Sequence, residues 1–446
     1  MVRHTGFRYQ LDPTVEQSVV LARHAGAARF AFNRSLDTVK EALALRKTDP
    51  EHRVPWSGFD LINDFNAWKK TEDAGRVVAV DSGGTAQIVV TGLAWRNQLC
   101  QQVFEEAAVD CGRALAAFTD SRRGKRAGRR VGFPRFKKKL ETTPSFRIRN
   151  KHSKNGRAAI RVGDNETVRS VTLPGIGAIK VRADTRRLRC MLAKGRAKIL
   201  YASVSFRAQR WWISLTCEAS DLHHKHHHQP HNPGDQGGWV GIDRGLTVLA
   251  VTATAEGAEL ARVAAPRPLT AALGTQRRLA KAVSRKQRGS IKHRQAAMRL
   301  ARHHHRVGNI RRHFAHELTN ELVKNHDRLV IEGLNVAGML GNRHLARAIS
   351  DAGWADLARL LTYKQRWRGG EIAVADRWFP SSKRCCVCTR INPGLRLADR
   401  VFVCECGHRG DRDYNAAVNL AQWPTIEKVF SQSPDPRAGG RVTKAR

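Results

Sequence analysis

SSKRCCVCTRINPGLRLADRVFVCECGHRGDRDYNAAVNL, residues 381–420, carries two pieces of chemistry in one short stretch. The first is a set of paired thiols. Cys385 and Cys388 form a C-x2-C pair, fifteen residues intervene, and Cys404 and Cys406 form a C-x-C pair. Two short cysteine pairs separated by ~15–20 residues have the spacing of a zinc ribbon. Zn²⁺ takes four soft ligands in a tetrahedron, and two reverse turns deliver them. Gly394 and Gly407 give those turns a permissive backbone. The second pair is one residue shorter than the usual knuckle. Cys386 is a spare thiol and His408 a spare imidazole, and either could replace a ligand. Buried or redox-active cysteines are the alternative reading.

The second piece is DRDYNAAVNL, residues 411–420. Tyr414, Ala417, Val418 and Ala421 recur at helical spacing, so one face packs on a core. Asp413 then falls in the first turn, where the helix dipole favours a carboxylate. Asp411 is the more natural cap. Taken alone, Asp413 could be only a capping residue; its weight comes from two acids upstream.

At 446 residues the chain is too long for a single core, so two or more domains are expected. Lys and Arg total 79 against 39 Asp and Glu, a net charge of +40. A polyphosphate partner accounts for that excess, since each basic contact releases condensed counterions. No apolar run of ~18 residues and no signal peptide is visible, which disfavours a membrane role. Nine cysteines without a secretory leader point to the reducing cytoplasm.

From the N-terminus, Arg3 to Gln10 alternates as a strand. Asp12-Pro13 starts a helix, and an all-helical stretch is expected to about Asp120. Its last helix carries Val103, Ala107, Cys111 and Leu115 at four-residue spacing, a core stripe. Gln101 and Gln102 are candidates for reading base edges there. SRRGKRAGRRVGFPRFKKK, residues 121–139, alternates basic residues with Gly, Pro and Phe. Arg129, Arg130, Arg135, Lys137 and Lys138 suit phosphates, with rings available to stack on bases; a solvated loop is the alternative. Ala158–Val162, Arg169–Leu173, Ile176–Ala183, Ile199–Ala208 and Arg210–Glu218 read as strands. With the first strand they predict a small β-barrel. LHHKHHHQPHNPGDQGG, residues 222–238, is a polar linker. The long basic helical region from Gln276 to Lys324, broken at Gly289, offers Arg277, Arg278, Arg285 and Lys286 to a duplex backbone.

In WVGIDRGLTVLAVTAT, residues 239–254, Asp243 sits within an apolar run. Gly241 and Gly245 flank it and leave room for something to approach. Glu332 ends the strand of RLVIEGLNV, residues 328–336. An acid buried alone in a strand is costly and needs a cation or a partner. The element order β-β-β-α-β-α-β-α is ribonuclease H-like and brings Asp243, Glu332 and Asp413 to one sheet edge. Three such carboxylates repel, and two Mg²⁺ or Mn²⁺ ions ~3.5–4 Å apart would satisfy them. No Ser-His-Asp arrangement and no G-x4-GK[ST] loop appears, which argues against ATP hydrolysis.

GIDRGL, LVIEGLNVAGM, RWFPSSKRCCVC and DRDYNAAVNL together resemble the three RuvC motifs and zinc ribbon of the TnpB family of RNA-guided nucleases and of the compact type V CRISPR effectors. FRYQLDPTVEQ with GAARFAFN, GFPRFKKK with SFR, and FRAQRWWISLTCE extend the resemblance over nearly the whole chain. It implies a multidomain α+β fold. A wedge barrel (1–12 and 123–221) is interrupted by a helical recognition lobe (13–122). After a linker (222–237) comes a RuvC nuclease (238–380 and 411–423) interrupted by a target-binding zinc ribbon (381–410), then a flexible tail (424–446). The resemblance makes Asp243, Glu332 and Asp413 the catalytic acids holding Mg²⁺, and Cys385, Cys388, Cys404 and Cys406 the zinc ligands. A guide RNA and target double-stranded DNA are the implied partners, with a monomer or a homodimer on one RNA. The departures are the short Cys404–Cys406 pair and Thr389, where the family usually has Gly.

The activity expected is RNA-guided, metal-dependent DNA cleavage beside a short target-adjacent motif. The alternatives are an RNA-guided DNA-binding repressor with weak or no cleavage, and an RNA-independent resolvase of branched DNA.

Overall fold

The computed structural model describes residues 3–80, 85–126, 128–139, 141–152, 156–163, 167–219, 227–229, 238–396 and 398–432. The chain divides into two compact units, Met1–Asp221 and Leu222–Arg446. No helix among the described residues is long and apolar enough to cross a membrane.

The first unit opens with β1 (Arg3–Asp12), α1 (Val15–Leu45) and α2 (Gly58–Trp68). Thr14 and Ser57 cap these helices through reciprocal bonds with Gln17 and Asp60, so the helix starts are written locally. A hairpin, β2 (Arg76–Val80) and β3 (Ala86–Thr91), precedes α3 (Gln101–Arg122). The all-helical expectation fails at this hairpin. RVVAV and IVVT are β-branched, yet Val77, Val78, Val80, Ile88 and Val89 are exposed, so no core pattern advertises the strands. β4 (Ser145–Arg149), β5 (Arg161–Val162), β6 (Ser170–Leu173), β7 (Gly177–Val181), α4 (Arg186–Ala193), β8 (Ala197–Arg207) and β9 (Arg210–Ala219) complete the unit.

Seven of these strands form one sheet in the order β4-β8-β9-β1-β7-β6-β5. β1 is central and antiparallel to both β9 and β7, as expected of a first strand shared with the later ones. Closure into a barrel is not seen among the described residues. β4 and β5 end the order without pairing with each other, and a single bridge, His152–Ala158, ties the chain between them. α1 and α3 pack Leu21, Phe32, Leu36, Phe104 and Leu115 with the sheet's Ile148, Val204 and Ile213 in one core.

The second unit contains β10 (Trp239–Asp243), β11 (Val248–Thr254), β12 (Glu259–Ala264), α5 (Pro268–Ser284), α6 (Ile291–Asn325) and β13 (Arg328–Glu332). α7 (Val336–Met339), α8 (Ala346–Ala352), α9 (Trp354–Trp367) and β14 (Glu371–Ala375) follow. β15 (Val401–Val403), β16 (Arg409–Asp411) and α10 (Arg412–Gln432) close it. The break between α5 and α6 falls at Gly289, whose φ of 88° lies in the left-handed region, followed by the Ser290 cap. α8 and α9 are divided at Gly353, whose φ of 66° lies in the left-handed region. α10 runs on through Pro424 to Gln432, past the expected start of the tail; Pro424 is buried, and that burial offsets the lost backbone bond. The remainder of that tail, and most of the histidine linker, lie outside the described residues.

The sheet order is β12-β11-β10-β13-β14. β10 pairs antiparallel with β11 and parallel with β13, and β13 pairs parallel with β14. Antiparallel first strands followed by parallel ones are what the ribonuclease H-like element order requires. One face carries Val240, Ile242, Leu329 and Ile331 against Leu318, Leu322, Leu357 and Leu361 of α6 and α9. The other face is covered by α10, whose Ala417 and Val418 meet Val251 and Ala253 while Leu420 meets Val330 and Ala375.

Candidate metal centres and nuclease site

Strand periodicity decides which way the acids point. Gly241 faces α10 so closely that a Cβ there would stand 2.0 Å from the Ala417 carbonyl oxygen. Asp243, two residues on, shares that face. Val330 also faces α10, so Glu332, two residues on, does the same. Both acids end parallel neighbours at their carboxyl ends, where open α/β sheets place their sites. The room expected beside Gly241 is therefore taken by the protein's own helix. Asp413 precedes Ala417 by one helical turn and arrives above the same strand ends.

Asp411 supplies the cap: its Oδ1 accepts the Tyr414 N–H at 2.8 Å. That leaves the Asp413 carboxylate free of capping duty. It is paired instead with Arg412 at 3.1 Å, both side chains being largely buried.

The three acids act on one another as charges. Burial, and then the negative charges of Glu332 and Asp413, push the Asp243 carboxyl well above the usual carboxylate range, against the pull of Arg412 and Arg244. Burial also raises Glu332, opposed by Arg244 and by the Ser381 hydroxyl, whose Oγ lies 3.4 Å from Glu332 Oε1. A site that makes its own carboxylates costly to ionise is one that gains from a cation. The donors are hard oxygens, which suit Mg²⁺ or Mn²⁺.

Two residues of this site carried no sequence expectation. Arg244 is 5% exposed and donates to the main-chain oxygens of Trp354, at 3.3 Å, and Glu332. It fixes the end of β13 on which Glu332 stands. Ser381 touches Glu332 itself. The signal for Arg244 was present: an Arg directly after a buried strand Asp is too costly to bury idle.

The four thiols converge. Sγ of Cys385, Cys388, Cys404 and Cys406 all lie within 4.8 Å of one another, with Cys388 and Cys404 at 3.4 Å and Cys385 and Cys406 at 3.7 Å. A tetrahedron with Zn–S of 2.3 Å has edges of about 3.8 Å, so the donor set fits zinc. Among the described residues this is the one group of three or more His, Cys, Asp or Glu side chains tight enough to surround a single ion. The short second pair closes through Gly407, with φ 89°, whose N–H bonds the Cys404 oxygen, while the Cys404 N–H bonds the His408 oxygen. Cys386 and His408 stand outside the cluster and face each other at 3.5 Å.

Thr389 has φ 67°, the left-handed region that a β-branched residue adopts at a cost of ~1–2 kcal/mol. Thr389→Gly is expected to slow loss of zinc to a chelator about threefold, once glycine's own flexibility is subtracted. An unchanged rate of zinc release would contradict this.

The cluster is held to the sheet domain by two buried asparagines that sequence reading missed. Asn419 Nδ2 donates to the oxygens of Ser381 at 2.8 Å and Arg384 at 2.6 Å, and its Oδ1 accepts from Arg384 Nη1 at 2.6 Å. Asn415 accepts the Cys386 N–H at 3.0 Å and donates to the Arg384 oxygen at 2.7 Å. Two Asn four residues apart in a helix of Ala, Val and Leu were the available clue. Asn419→Ala should cost about 2–3 kcal/mol by removing the donor to the buried Ser381 carbonyl and one of the two donors to the Arg384 carbonyl. The melting temperature should drop by about 5–10 °C; a shift below 2 °C in thermal unfolding would refute the role.

Of the basic candidates, Arg129, Arg130, Arg135 and Lys138 are exposed on the loop after α3. Lys137 is not free for phosphate: its ammonium lies 3.6 Å from the Phe32 ring centre, and Asn33 holds its backbone. Phe133 is not available for stacking on a base, because it packs edge-on against Phe118. Gln101 is engaged by Asn66 and Lys69, and Gln102 turns its Oε1 into the fold, so neither presents a free reading edge. Arg277, Arg278 and Arg285 line one shallow depression of α5 with Lys281, and Lys286 is exposed beside them.

The family model of the IS605 OrfB proteins, described as "Probable transposase", matches residues 221–343. A "Cas12f1-like, TNB domain" model matches 354–420. In Mycobacterium tuberculosis (strain CDC 1551 / Oshkosh), "Putative RNA-guided DNA endonuclease MT2953" is 36% identical over 425 residues, covering 94% of this chain and 86% of the relative. The chain belongs to the TnpB-like IS605 OrfB family. A "Putative RNA-guided DNA endonuclease" of Streptomyces pristinaespiralis is 30% identical, covering 93% of this chain and 88% of that one. A further family model, "Helix-turn-helix domain", matches residues 1–48, which here are one strand and one 31-residue helix. A solved Cas12f1-sgRNA-target DNA complex aligns at TM-score 0.47 and 13% identity, over 94% of this chain and 99% of that one.

Proposed function

We propose that this protein is an RNA-guided DNA endonuclease that hydrolyses phosphodiesters at one site built by Asp243, Glu332 and Asp413. The observation that carries the reading is the opposition of three buried or half-buried carboxylates at the ends of β10, β13 and α10. Three mutually repelling carboxylates would be satisfied by two ions ~3.5–4 Å apart. When bound, two Mg²⁺ ions would activate the attacking water and stabilise the leaving oxygen. Asp243 and Glu332 would hold them from the sheet and Asp413 from the helix. Arg244 and Ser381 would orient Glu332.

A wedge built on the seven-stranded sheet, with a helical recognition lobe inserted after β1, is the reading for the first unit, supported by the pairing of β1 with the later strands and by the family membership. Cys385, Cys388, Cys404 and Cys406 would hold Zn²⁺ and so fix the loops that carry the ribbon to target DNA. Guide RNA would supply sequence recognition by pairing, leaving charge and shape to the protein. The relatives' names and the +40 charge support those partners. The test is direct. Protein purified with its RNA should cut a guide-matched plasmid in Mg²⁺ and leave it intact in EDTA. Binding without cutting would favour a repressor, and absence of co-purifying RNA a branched-DNA resolvase.

A further inference from the structure

Of the ten tryptophans, all among the described residues, Trp378 is the only exposed one. At 82% exposure it is also the most exposed large apolar side chain described. It is not on a slack loop. Asp376 Oδ1 accepts the Trp378 N–H at 2.8 Å, and the Phe379 N–H bonds the Asp376 oxygen at 3.1 Å. Phe379 then anchors against Trp423, ring centres 4.6 Å apart. A built turn with one ring packed, half-buried, against Trp423 and its neighbour in water is displaying that neighbour.

The turn's address gives the ring a use. Ala375, which precedes it, pairs with Glu332 in the sheet. Ser381, which follows it, touches Glu332 Oε1. Trp378 is three residues from each, a chain reach of about 11 Å at most. Arg377, beside it, is also exposed. An aromatic face next to a cation is the pairing that holds a single strand, base on ring and phosphate on guanidinium.

We infer that Trp378 is a stacking platform for a base of the single DNA strand entering the acid site, with Arg377 on the adjoining phosphate. The inference rests on the proposed nuclease reading of Asp243, Glu332 and Asp413. A duplex would hide its base faces, so the ring selects unpaired substrate.

The test uses the RNA-loaded protein on a guide-matched plasmid and on a single-stranded DNA carrying 2-aminopurine. Trp378→Ala should slow cleavage about tenfold or more, the loss expected of one stacked base. Trp378→Phe should retain most of the rate. In an Asp243→Asn background, 2-aminopurine fluorescence should be quenched with Trp378 present and recover with Ala. Thermal unfolding should be unmoved, since the side chain supports no core. A wild-type rate for Trp378→Ala, or no rescue by Phe, overturns the inference while the nuclease stands. Loss of bound RNA in Trp378→Ala, with cleavage per loaded complex unchanged, also overturns it, since the contact would then be to RNA. A wild type that never cuts removes the nuclease reading and this inference together.

Discussion

Asp243→Asn should abolish plasmid cleavage, by at least about 10³-fold, and in the same protein raise the melting temperature measured without divalent ions. The first effect follows from losing one of the three carboxylates that would hold the ions. The second follows from the charges. In the folded, metal-free protein Asp243 is raised well above the ordinary carboxylate range by burial and by Glu332 and Asp413. A carboxyl whose folded value is raised stabilises the fold fully below its unfolded pKa of ~4. That contribution is lost as pH climbs through the raised folded value. Metal-free wild type should therefore lose stability from about pH 4 upward through that window, and divalent ions should restore it. An amide carries no charge and can donate to the neighbouring carboxylates, so the variant should gain about 1–2 kcal/mol at pH 8, or roughly 2–8 °C. Thermal melts with EDTA and with Mg²⁺ read both effects. A variant that melts lower than wild type in EDTA would mean that the acids are not in conflict.

Gly241→Ala should be nearly as damaging to cleavage, although it changes no charge. The added carbon would meet the Ala417 oxygen at 2.0 Å, the Ala421 nitrogen at 2.5 Å and Leu420 Cβ at 2.9 Å. Two of the three are helix backbone, which has no rotamer to change. α10 must lift, and Asp413 rides on its first turn. Overpacking of this kind costs about 1–3 kcal/mol or more. A shift of even 1 Å between catalytic groups costs about 10²-fold in rate. The expected result is a folded protein, melting lower by several degrees, that retains RNA and cuts at or below about 1% of the wild-type rate. Full activity in Gly241→Ala would show that α10 does not set the site.

The acids were legible because burial makes them conspicuous. A lone Asp or Glu ending a Val- and Ile-rich strand breaks the local rule, and the break falls where Asp243, Glu332 and Asp413 act on one another in the fold. The cysteine spacing was legible for the same reason, and so was Asp411, whose position before the helix suits a cap. What was not legible depended on tertiary approach. Gly241 announced that something comes close without saying that the visitor is α10. Lys137 suits a phosphate and the rings of 121–139 suit bases in sequence, but in the fold Lys137 lies over Phe32 and Phe133 packs on Phe118. The β2–β3 hairpin exposes its valines, so it lacks the alternation that burial would have imposed. Asn415 and Asn419 looked like ordinary helix polar residues because their partners, the carbonyls of 381 and 384, lie some thirty residues away in sequence.

The most direct measurement is anomalous diffraction from crystals of the protein soaked in Mn²⁺. Two manganese peaks about 4 Å apart, held among Asp243, Glu332 and Asp413, are the predicted result. Manganese bound elsewhere, with those three side chains free of it at saturating concentration, would contradict the account.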